Sequence, residues 1–312
     1  MILKSLKNSH SYLIVLFIIF SFLFFSTSFF TKEFQNIEPL FPFYSVIILF
    51  SCFVLTTFHA IGLNNLIYEK DVIKKPNFIL SFVFLLLNTT FITNHKMILF
   101  SFGLLFFLNY LLSLYKQKQP YAIVFNASII LSILSFYIPN VLVLFTLIIL
   151  SSIIFRNIDW RIILLSILPL FIPYIFLWTY QNFMGDNLYF PNIHFSYTTY
   201  TFDFISLKLH EMIWYSILFL IILFSFFELF RWTYKKSIKS RESFTIILFY
   251  FFIAIILFLF TENTETIFLI LIPLSVVISN FFVYYKKERI GEFIFFLFLF
   301  SSIFYRLSMI NM

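Results

Sequence analysis

The sequence predicts an all-α fold, a polytopic bundle of transmembrane helices with its amino terminus inside the cell and its carboxyl terminus outside. Three observations predict it: the composition, the length of the apolar runs, and the distribution of Lys and Arg between alternate loops. Of the 312 residues, 62% are hydrophobic and only 11% are charged, whereas a soluble domain carries about a quarter charged residues. Lipid is the solvent in which a chain can leave this much apolar surface exposed.

Apolar runs long enough to cross a bilayer recur along the whole chain. A transmembrane helix needs about 20 predominantly apolar residues, with a range of about 17–25. We expect eleven spans in one transmembrane domain covering residues 1–312, at 11–30, 44–63, 77–93, 97–115, 121–138, 139–155, 162–180, 212–230, 243–260, 267–285 and 290–307. The segment 181–211 is then the longest outer loop.

Lys and Arg alternate between rich and sparse segments in step with these runs. With the amino terminus inside, seventeen of the 21 bases fall in inside segments, and four fall outside, namely Lys32, Lys96, Lys208 and Arg306. This asymmetry is the positive-inside signal of membrane topology. Because it accounts for the formal net charge of +7, we expect no nucleic-acid partner.

The cysteine, the histidines and the absent motifs argue against several kinds of site. Cys52 is the only cysteine, so the chain can form neither an internal disulfide nor a thiolate metal cluster. The five histidines lack metal-ligand spacing, and the sequence contains no phosphate-binding or dinucleotide-binding glycine motif. We therefore expect no metal and no cofactor. The first run follows Lys4 and Lys7 without a cleavage signal, which predicts an uncleaved anchor.

The stretch "RNIDWRIILLSILPLFIPY", residues 156–174, is interpreted as a tight cytoplasmic turn followed by the seventh span. Arg156 and Arg161 set the direction of insertion, and Asp159 could pair with either. Trp160 and Trp178 bracket the seventh span, and Trp214 and Trp232 bracket the eighth. All four are therefore expected at membrane interfaces. Pro169 and Pro173 each lack an N–H group, which predicts a kink in the seventh span.

The middle of the chain resembles a flavobacterial family of multi-pass membrane proteins to which no activity is assigned. The resemblance rests on Tyr137-Ile138-Pro139, on Arg156 with Trp160-Arg161, and on Pro173-Tyr174, and it extends to the earlier loop "LNNLIYEKDVIKKPNFILSF". It is best over the middle third and poor at both ends. It implies an integral protein of the inner membrane of a two-membrane bacterium and assigns no functional residue.

Acidic residues on the predicted outer side suggest one enzymatic hypothesis. In position only, the pattern is similar to polytopic glycosyltransferases that use lipid-linked sugar donors and carry a functional acid in the first outer loop. Glu33 and Glu38 are the candidate general bases or metal-holding carboxylates, with Asp203 and His194 as possible helpers. The sequence lacks the paired acids and the large extra-membrane domain of such enzymes.

The polar residues within the spans leave two further hypotheses. Asn109, Asn126 and Asn280 are expected to hydrogen-bond between helices, and a carrier would instead line a polar cavity with them. The leading hypothesis is a non-catalytic, multi-pass component of the bacterial cell envelope, with lipid and other membrane proteins as its partners. The transferase and a carrier for a neutral or amphiphilic substrate are the alternatives.

Overall fold

The computed structural model describes residues 2–7, 12–26, 42–91, 95–185, 187–191, 208–233, 235–261 and 264–310. Within these residues the chain forms helices and no strand, which confirms the predicted all-α class. The helices are α1 Ile2–Leu6, α2 Tyr12–Ser26, α3 Pro42–Glu69, α4 Ile79–Phe91, α5 His95–Ser113, α6 Tyr121–Leu134, α7 Phe145–Ile154, α8 Trp160–Met184, α9 Leu209–Thr233, α10 Ile238–Leu259, α11 Phe268–Tyr284 and α12 Glu288–Ile310. Short 3₁₀ helices at Pro139–Leu144 and Thr264–Ile267 precede α7 and α11.

Each of the eleven predicted spans coincides with an apolar helix. Seven helices among the described residues are long and apolar enough to cross a membrane: Val46–Glu69, Lys96–Ser113, Trp160–Met184, Leu209–Arg231, Ile238–Leu259, Glu265–Tyr284 and Glu288–Ser308. Four apolar helices are shorter, at Tyr12–Ser26, Ile79–Asn88, Tyr121–Leu134 and Pro139–Ile154. The chain therefore has the features of a multi-pass membrane protein, while the count of eleven and the orientation stay predictions.

The fifth predicted span is shorter than expected because its helix tightens and stops early. Helix α6 ends at Leu134, and the N–H groups of Phe136 and Tyr137 turn back to the carbonyls of Ile133 and Leu134. Ile138 is then extended, at φ −132° and ψ 101°, as the residue before a proline prefers. Pro139 starts the 3₁₀ helix that leads into α7.

The described chain divides into two compact units. Unit 1 comprises Met1–Leu99, Thr201–Ser237 and Leu274–Met312, and unit 2 comprises Phe100–Tyr200 and Ile238–Pro273. Unit 1 contains α1 to α4, α9 and α12, whereas unit 2 contains α6, α7, α8 and α10. The single transmembrane domain inferred from the sequence stays a prediction.

The core of unit 1 is built by α4, which packs against α2, α3 and α12. Asn77 begins α4, because its Oδ1 accepts hydrogen bonds from the N–H groups of Ile79 and Leu80 at 3.1 and 3.4 Å, as a helix-capping residue does. The Ser81 hydroxyl then donates to the carbonyl of Ala60 on α3 at 3.0 Å. These bonds fix the register of α4 against α3.

Unit 2 is organised around the pair of α6 and α8, which also contact α7. The buried face of α6 includes Ala127, Ser128 and Ser132, so the two helices meet over small side chains, as membrane helices often do. Asn140 donates to the hydroxyl of Thr261 at 3.1 Å and ties the Pro139–Leu144 helix to the end of α10.

Three helices end on a charged residue in the left-handed conformation. Asp71, Lys116 and Arg156 follow α3, α5 and α7 with φ of 59°, 57° and 60°. After α7, the N–H of Arg156 bonds to Ile153 and that of Asn157 to Ser152, at 3.0 and 2.9 Å, which is the Schellman pattern. All three residues lie in loops predicted to be cytoplasmic.

Candidate functional site

A narrow groove in unit 1 lies between the second half of α2 and the last turns of α12. Its volume is about 210 Å³, and it is lined by Phe20, Leu23, Phe24, Ile303, Arg306 and Leu307. Each helix contributes positions i, i+3 and i+4, which share one helix face. Five of the six lining side chains are apolar, so Arg306 is the charged side chain of this groove.

Arg306 is almost buried, with 5% of its surface exposed. A guanidinium stays protonated in a protein and carries five N–H donors, and burying a charge is costly unless partners compensate it. Arg306 takes part in an interaction with the protein itself. Leu23 on α2 and Leu307 on α12 are 58% and 49% exposed, so one side of the groove is open.

The adjacent face of α12 is held against α9 by aromatic side chains. The Trp214 indole N–H donates to the Ser302 hydroxyl at 3.2 Å, and the rings of Trp214 and Tyr305 lie 5.3 Å apart. The hydroxyls of Tyr215 and Tyr305 also hydrogen-bond. Trp214 is only 1% exposed. It was expected to lie at a membrane interface, which stays a prediction; within unit 1 its ring is buried and its N–H has a partner on α12.

A buried histidine completes this aromatic cluster. The His210 ring lies 5.8 Å from the Tyr305 ring, and only 6% of the residue is exposed. Its Nε2 has no hydrogen-bond partner among the described residues. Together with Trp214 and Tyr305, His210 holds the end of α12 in place, and Ile303 and Arg306 thereby face the groove.

Unit 2 contains a larger apolar pocket beside the proline-containing helix α8. Its volume is about 560 Å³, and its walls are supplied by Leu142, Val143, Phe145, Leu170, Phe171, Tyr174, Trp178, Phe190 and Pro191. The polar edge is the Tyr174 hydroxyl, which lies 2.5 Å from Ser135 Oγ. Among the described residues no charged side chain lines this pocket, which distinguishes it from the groove in unit 1.

Part of the pocket wall is a segment folded back over α8. The indole N–H of Trp178 donates to the carbonyl of Tyr189 at 2.6 Å, and the N–H of Tyr189 donates to Gln181 Oε1 at 2.9 Å. The rings of Trp178 and Phe190 are 5.4 Å apart. Trp178, predicted to be an interface anchor, therefore also fastens the start of the long predicted outer loop.

A short turn at 155–159 joins α7 to α8, and its cytoplasmic location stays a prediction. Asp159 precedes α8 as its N-cap in extended backbone. Within the described turn it makes no salt bridge to Arg156 or Arg161. Arg161 lies over the Trp160 ring, 5.7 Å from its centroid. Trp160 is 64% exposed, as a ring at a membrane interface would be.

Pro169 and Pro173 lie inside α8, where the sequence placed them. The buried face of this helix contains Ser166, Pro169 and Tyr174. Between the two prolines, the carbonyl of Leu170 accepts a hydrogen bond from Ser132 on α6 at 2.6 Å. The carbonyls that lose a helical donor to the prolines are those of Leu165 and Pro169, so the bond from Ser132 joins the two helices without replacing a donor that a proline lacks. The predicted kink stays a prediction.

The proposed catalytic residues of the transferase hypothesis, Glu33, Glu38, Asp203 and His194, lie outside the described residues. In the part of the chain that is described, no group of three or more His, Cys, Asp or Glu side chains could hold a metal ion. Glu211, another predicted outer acid, accepts a hydrogen bond from the N–H of Lys208 at 3.0 Å and closes the first turn of α9.

The amides of the carrier hypothesis have different surroundings. Asn280 in unit 1 is fully buried, and its amide atoms have no hydrogen-bond partner among the described residues. In unit 2, Asn109 is half-buried and Asn126 is exposed. The cavity that a carrier would require stays a prediction.

The apolar helices fit the class of multi-pass membrane proteins. No protein-family model matches the chain, and neither a curated protein nor a solved structure is similar to it. The resemblance to the flavobacterial family stays a prediction.

Proposed function

We propose that the chain is an eleven-span protein of the inner membrane of a two-membrane bacterium, with its amino terminus in the cytoplasm and its carboxyl terminus outside. It is a non-catalytic component of the cell envelope. Its role depends on a fixed arrangement of its helices and on the binding of other membrane constituents. The seven long apolar helices and the four shorter ones support the span count. The distribution of bases supports the orientation.

The observation that carries the non-catalytic role is the use of polar side chains within the apolar helices. Ser81, Ser132, Ser135, Asn140 and Trp214 each bond to a distant helix or turn, over sequence separations of 21 to 121 residues. Such bonds between membrane helices contribute about 0.6 kcal/mol each on average. These five side chains thus join elements that are distant in the chain, which supports a role that depends on the arrangement of the helices.

Each unit supplies its own exposed apolar helix for partners, α9 in unit 1 and α8 in unit 2. In the apolar stretches of α8 and α9, only 22% and 28% of the residues are buried within the protein. In α11 the buried share is 89%. Large apolar side chains such as Phe176, Phe219 and Phe227 are 62–73% exposed. Lipid covers such a face, and a partner membrane protein could share it.

Purification and turnover test this role. The full-length chain, extracted from its native membrane, is expected to retain bound membrane constituents and to leave an added lipid-linked sugar donor unchanged. Conversion of the donor by the purified protein would contradict the proposal.

The transferase alternative is tested in the cell by carboxylate substitutions. A depletion strain is rescued with the wild type, with Glu33→Gln or with Glu38→Gln, and Glu265→Gln serves as the matched control for removal of a predicted outer acid. Our proposal predicts that all three variants restore growth and the envelope lipid and glycan profile at normal membrane levels. Accumulation of lipid-linked sugar in a Glu33 or Glu38 variant alone would favour the enzyme.

A further inference from the structure

We propose that the groove between α2 and α12 binds a lipid with an anionic, phosphate-type headgroup, and that Arg306 is the headgroup ligand. This inference goes beyond the non-catalytic role, since it names a site and a ligand class. It begins with the composition of the walls. Phe20, Leu23 and Phe24 from α2 face Ile303 and Leu307 from α12, and Arg306 adds one permanent positive charge.

The apolar walls require a ligand that has a hydrocarbon chain. A free phosphate would gain nothing from five apolar side chains, whereas each CH₂ group buried contributes about 0.8 kcal/mol. The volume of about 210 Å³ is below the roughly 300–1,000 Å³ of sites that enclose a small molecule. The groove therefore holds the junction of headgroup and chain, and the rest of the lipid lies along the exposed face of α2.

That exposed face continues the groove. Ile19 and Phe22, neighbours of the lining residues on α2, are 57% and 56% exposed, and Leu23 and Leu307 form the open side of the groove itself. A chain lying there contacts apolar side chains along the helix without having to enter the protein.

The charge of Arg306 selects an anionic headgroup. The guanidinium offers five donors in a planar fork, which matches a phosphate in a bidentate arrangement. Arg306 also interacts with the protein itself, so a bound phosphate shares the guanidinium with that partner. A zwitterionic lipid would bring its own cation towards the same side chain, which is less favourable.

Arg306 stands at the depth where a headgroup lies. It is four residues from the end of α12 at Ile310, or about 6 Å along a helix. The other end of α12, at Glu288, is about 27 Å away by the same rise per residue, which is close to the thickness of a hydrocarbon core. Under the proposed topology, the headgroup belongs to the outer leaflet.

The experiment measures lipid binding to the full-length protein in neutral detergent micelles by native mass spectrometry. The probes are phosphatidic acid, phosphatidylcholine and inorganic phosphate. We expect the wild type to bind phosphatidic acid at least tenfold more tightly than phosphatidylcholine, and inorganic phosphate at millimolar concentration to leave the lipid bound. Displacement of the lipid by inorganic phosphate would overturn the proposal, as would equal affinity for the two lipids.

Arg306→Gln removes the charge and is expected to lower the affinity for phosphatidic acid about tenfold or more, since a charge-assisted hydrogen bond is lost. Its affinity for phosphatidylcholine is expected to stay unchanged. Arg231→Gln is the matched control. Arg231 lies in the last turn of α9 in unit 1, is 71% exposed and pairs with Glu228 at 3.6 Å. Equal losses in the two variants would refute the assignment of Arg306.

Leu23→Trp keeps the test decisive if Arg306→Gln fails to fold. Leu23 is 58% exposed, so a larger side chain fits at little cost to folding, while it narrows the open side of the groove. We expect this variant to keep the melting temperature of the wild type and to lose affinity for both lipids at least tenfold. Unchanged binding of phosphatidic acid by a folded Leu23→Trp protein would overturn the proposal.

Discussion

In unit 1 the contact between α9 and α12 is made by aromatic rings, whereas in unit 2 the contact between α6 and α8 is made by serine hydroxyls. The rings of Trp214 and Tyr305 lie 5.3 Å apart in a tilted arrangement in the first contact, and the indole N–H bonds to Ser302. In the second, Ser132 and Ser135 bond to the carbonyl of Leu170 and to the hydroxyl of Tyr174. The two contacts use different sources of free energy.

The difference follows from the side chains that each pair of helices offers. The buried face of α6 includes Ala127, Ser128 and Ser132, and small side chains let α8 approach closely enough for Ser132 to bond to its backbone. Helices α9 and α12 instead bring Trp214 and Tyr305 together, and buried aromatic area supplies the attraction.

The largest expected effect is at the aromatic contact. Trp214→Ala removes a side chain that is 1% exposed, and truncation of a buried Trp costs about 3–5 kcal/mol of unfolding free energy. Trp160→Ala is the control, because Trp160 is 64% exposed. Unfolding in SDS titrations measures both variants. A similar small loss in the two would show that the ring in unit 1 does not hold the helices together.

The next effect concerns the close approach of α6 and α8. Ser132→Leu places a bulky side chain where Ser132 is fully buried, and overpacking of this kind costs about 1–3 kcal/mol. Ser132→Ala keeps the small volume and loses only the bond to Leu170, so its cost should be smaller. If the leucine variant were as stable as the alanine variant by SDS titration, the contact would not depend on small residues.

The smallest effect at these contacts is the hydroxyl pair of Ser135 and Tyr174. Ser135→Ala, Tyr174→Phe and the double variant form a thermodynamic cycle. We expect a coupling free energy of about 0.6 kcal/mol, the average for hydrogen bonds between membrane helices. Additive losses in the double variant would mean that the 2.5 Å contact contributes no pairwise stability.

The unfolding free energy should depend on pH through Lys7, at the predicted cytoplasmic end of unit 1. Burial lowers the pKa of Lys7 from its ordinary value of 10.5; the nearby Glu288 acts in the opposite sense, and Lys75 adds to the lowering. Between the lowered pKa and 10.5 the unfolded chain holds a proton on Lys7 that the folded chain lacks, so stability rises with pH in that window. Lys7→Met should show a shallower rise in unfolding free energy there, and an identical slope would contradict the assignment.

Much of the fold could be predicted from the sequence, because apolar length and base distribution are local signals. All eleven predicted segments contain a helix, and Asn77 caps α4 at the predicted start of the third span. The early end of α6 at Leu134 could not be predicted from hydropathy, since Ser135, Phe136 and Tyr137 are as compatible with a helix as with a turn.

The candidate site was missed because its parts are far apart in the chain. Arg306 was noticed only as one of four predicted outer bases, and nothing in the sequence connects it with Phe20 or Phe24. Trp214 was expected at the interface because its position matched a span end, but its surroundings depend on Ser302, 88 residues away. Pairings of this kind are tertiary and leave no local pattern.

The central claim is that the chain crosses the membrane eleven times. The two short apolar segments α6 and Pro139–Ile154 give the most direct test of this span count. Fourteen residues of α6 cover only about 21 Å, less than the roughly 30 Å of a hydrocarbon core.

In a Cys52→Ser background, Tyr137→Cys places one thiol at the turn between these helices, where Tyr137 is 41% exposed. Lys118→Cys and Asn157→Cys mark the two flanking loops, which are predicted to be inside. With the outer membrane permeabilised and the inner membrane intact, a membrane-impermeant maleimide should label Tyr137→Cys and neither of the others. Labelling of Tyr137→Cys only after the inner membrane is permeabilised would contradict the eleven-span topology.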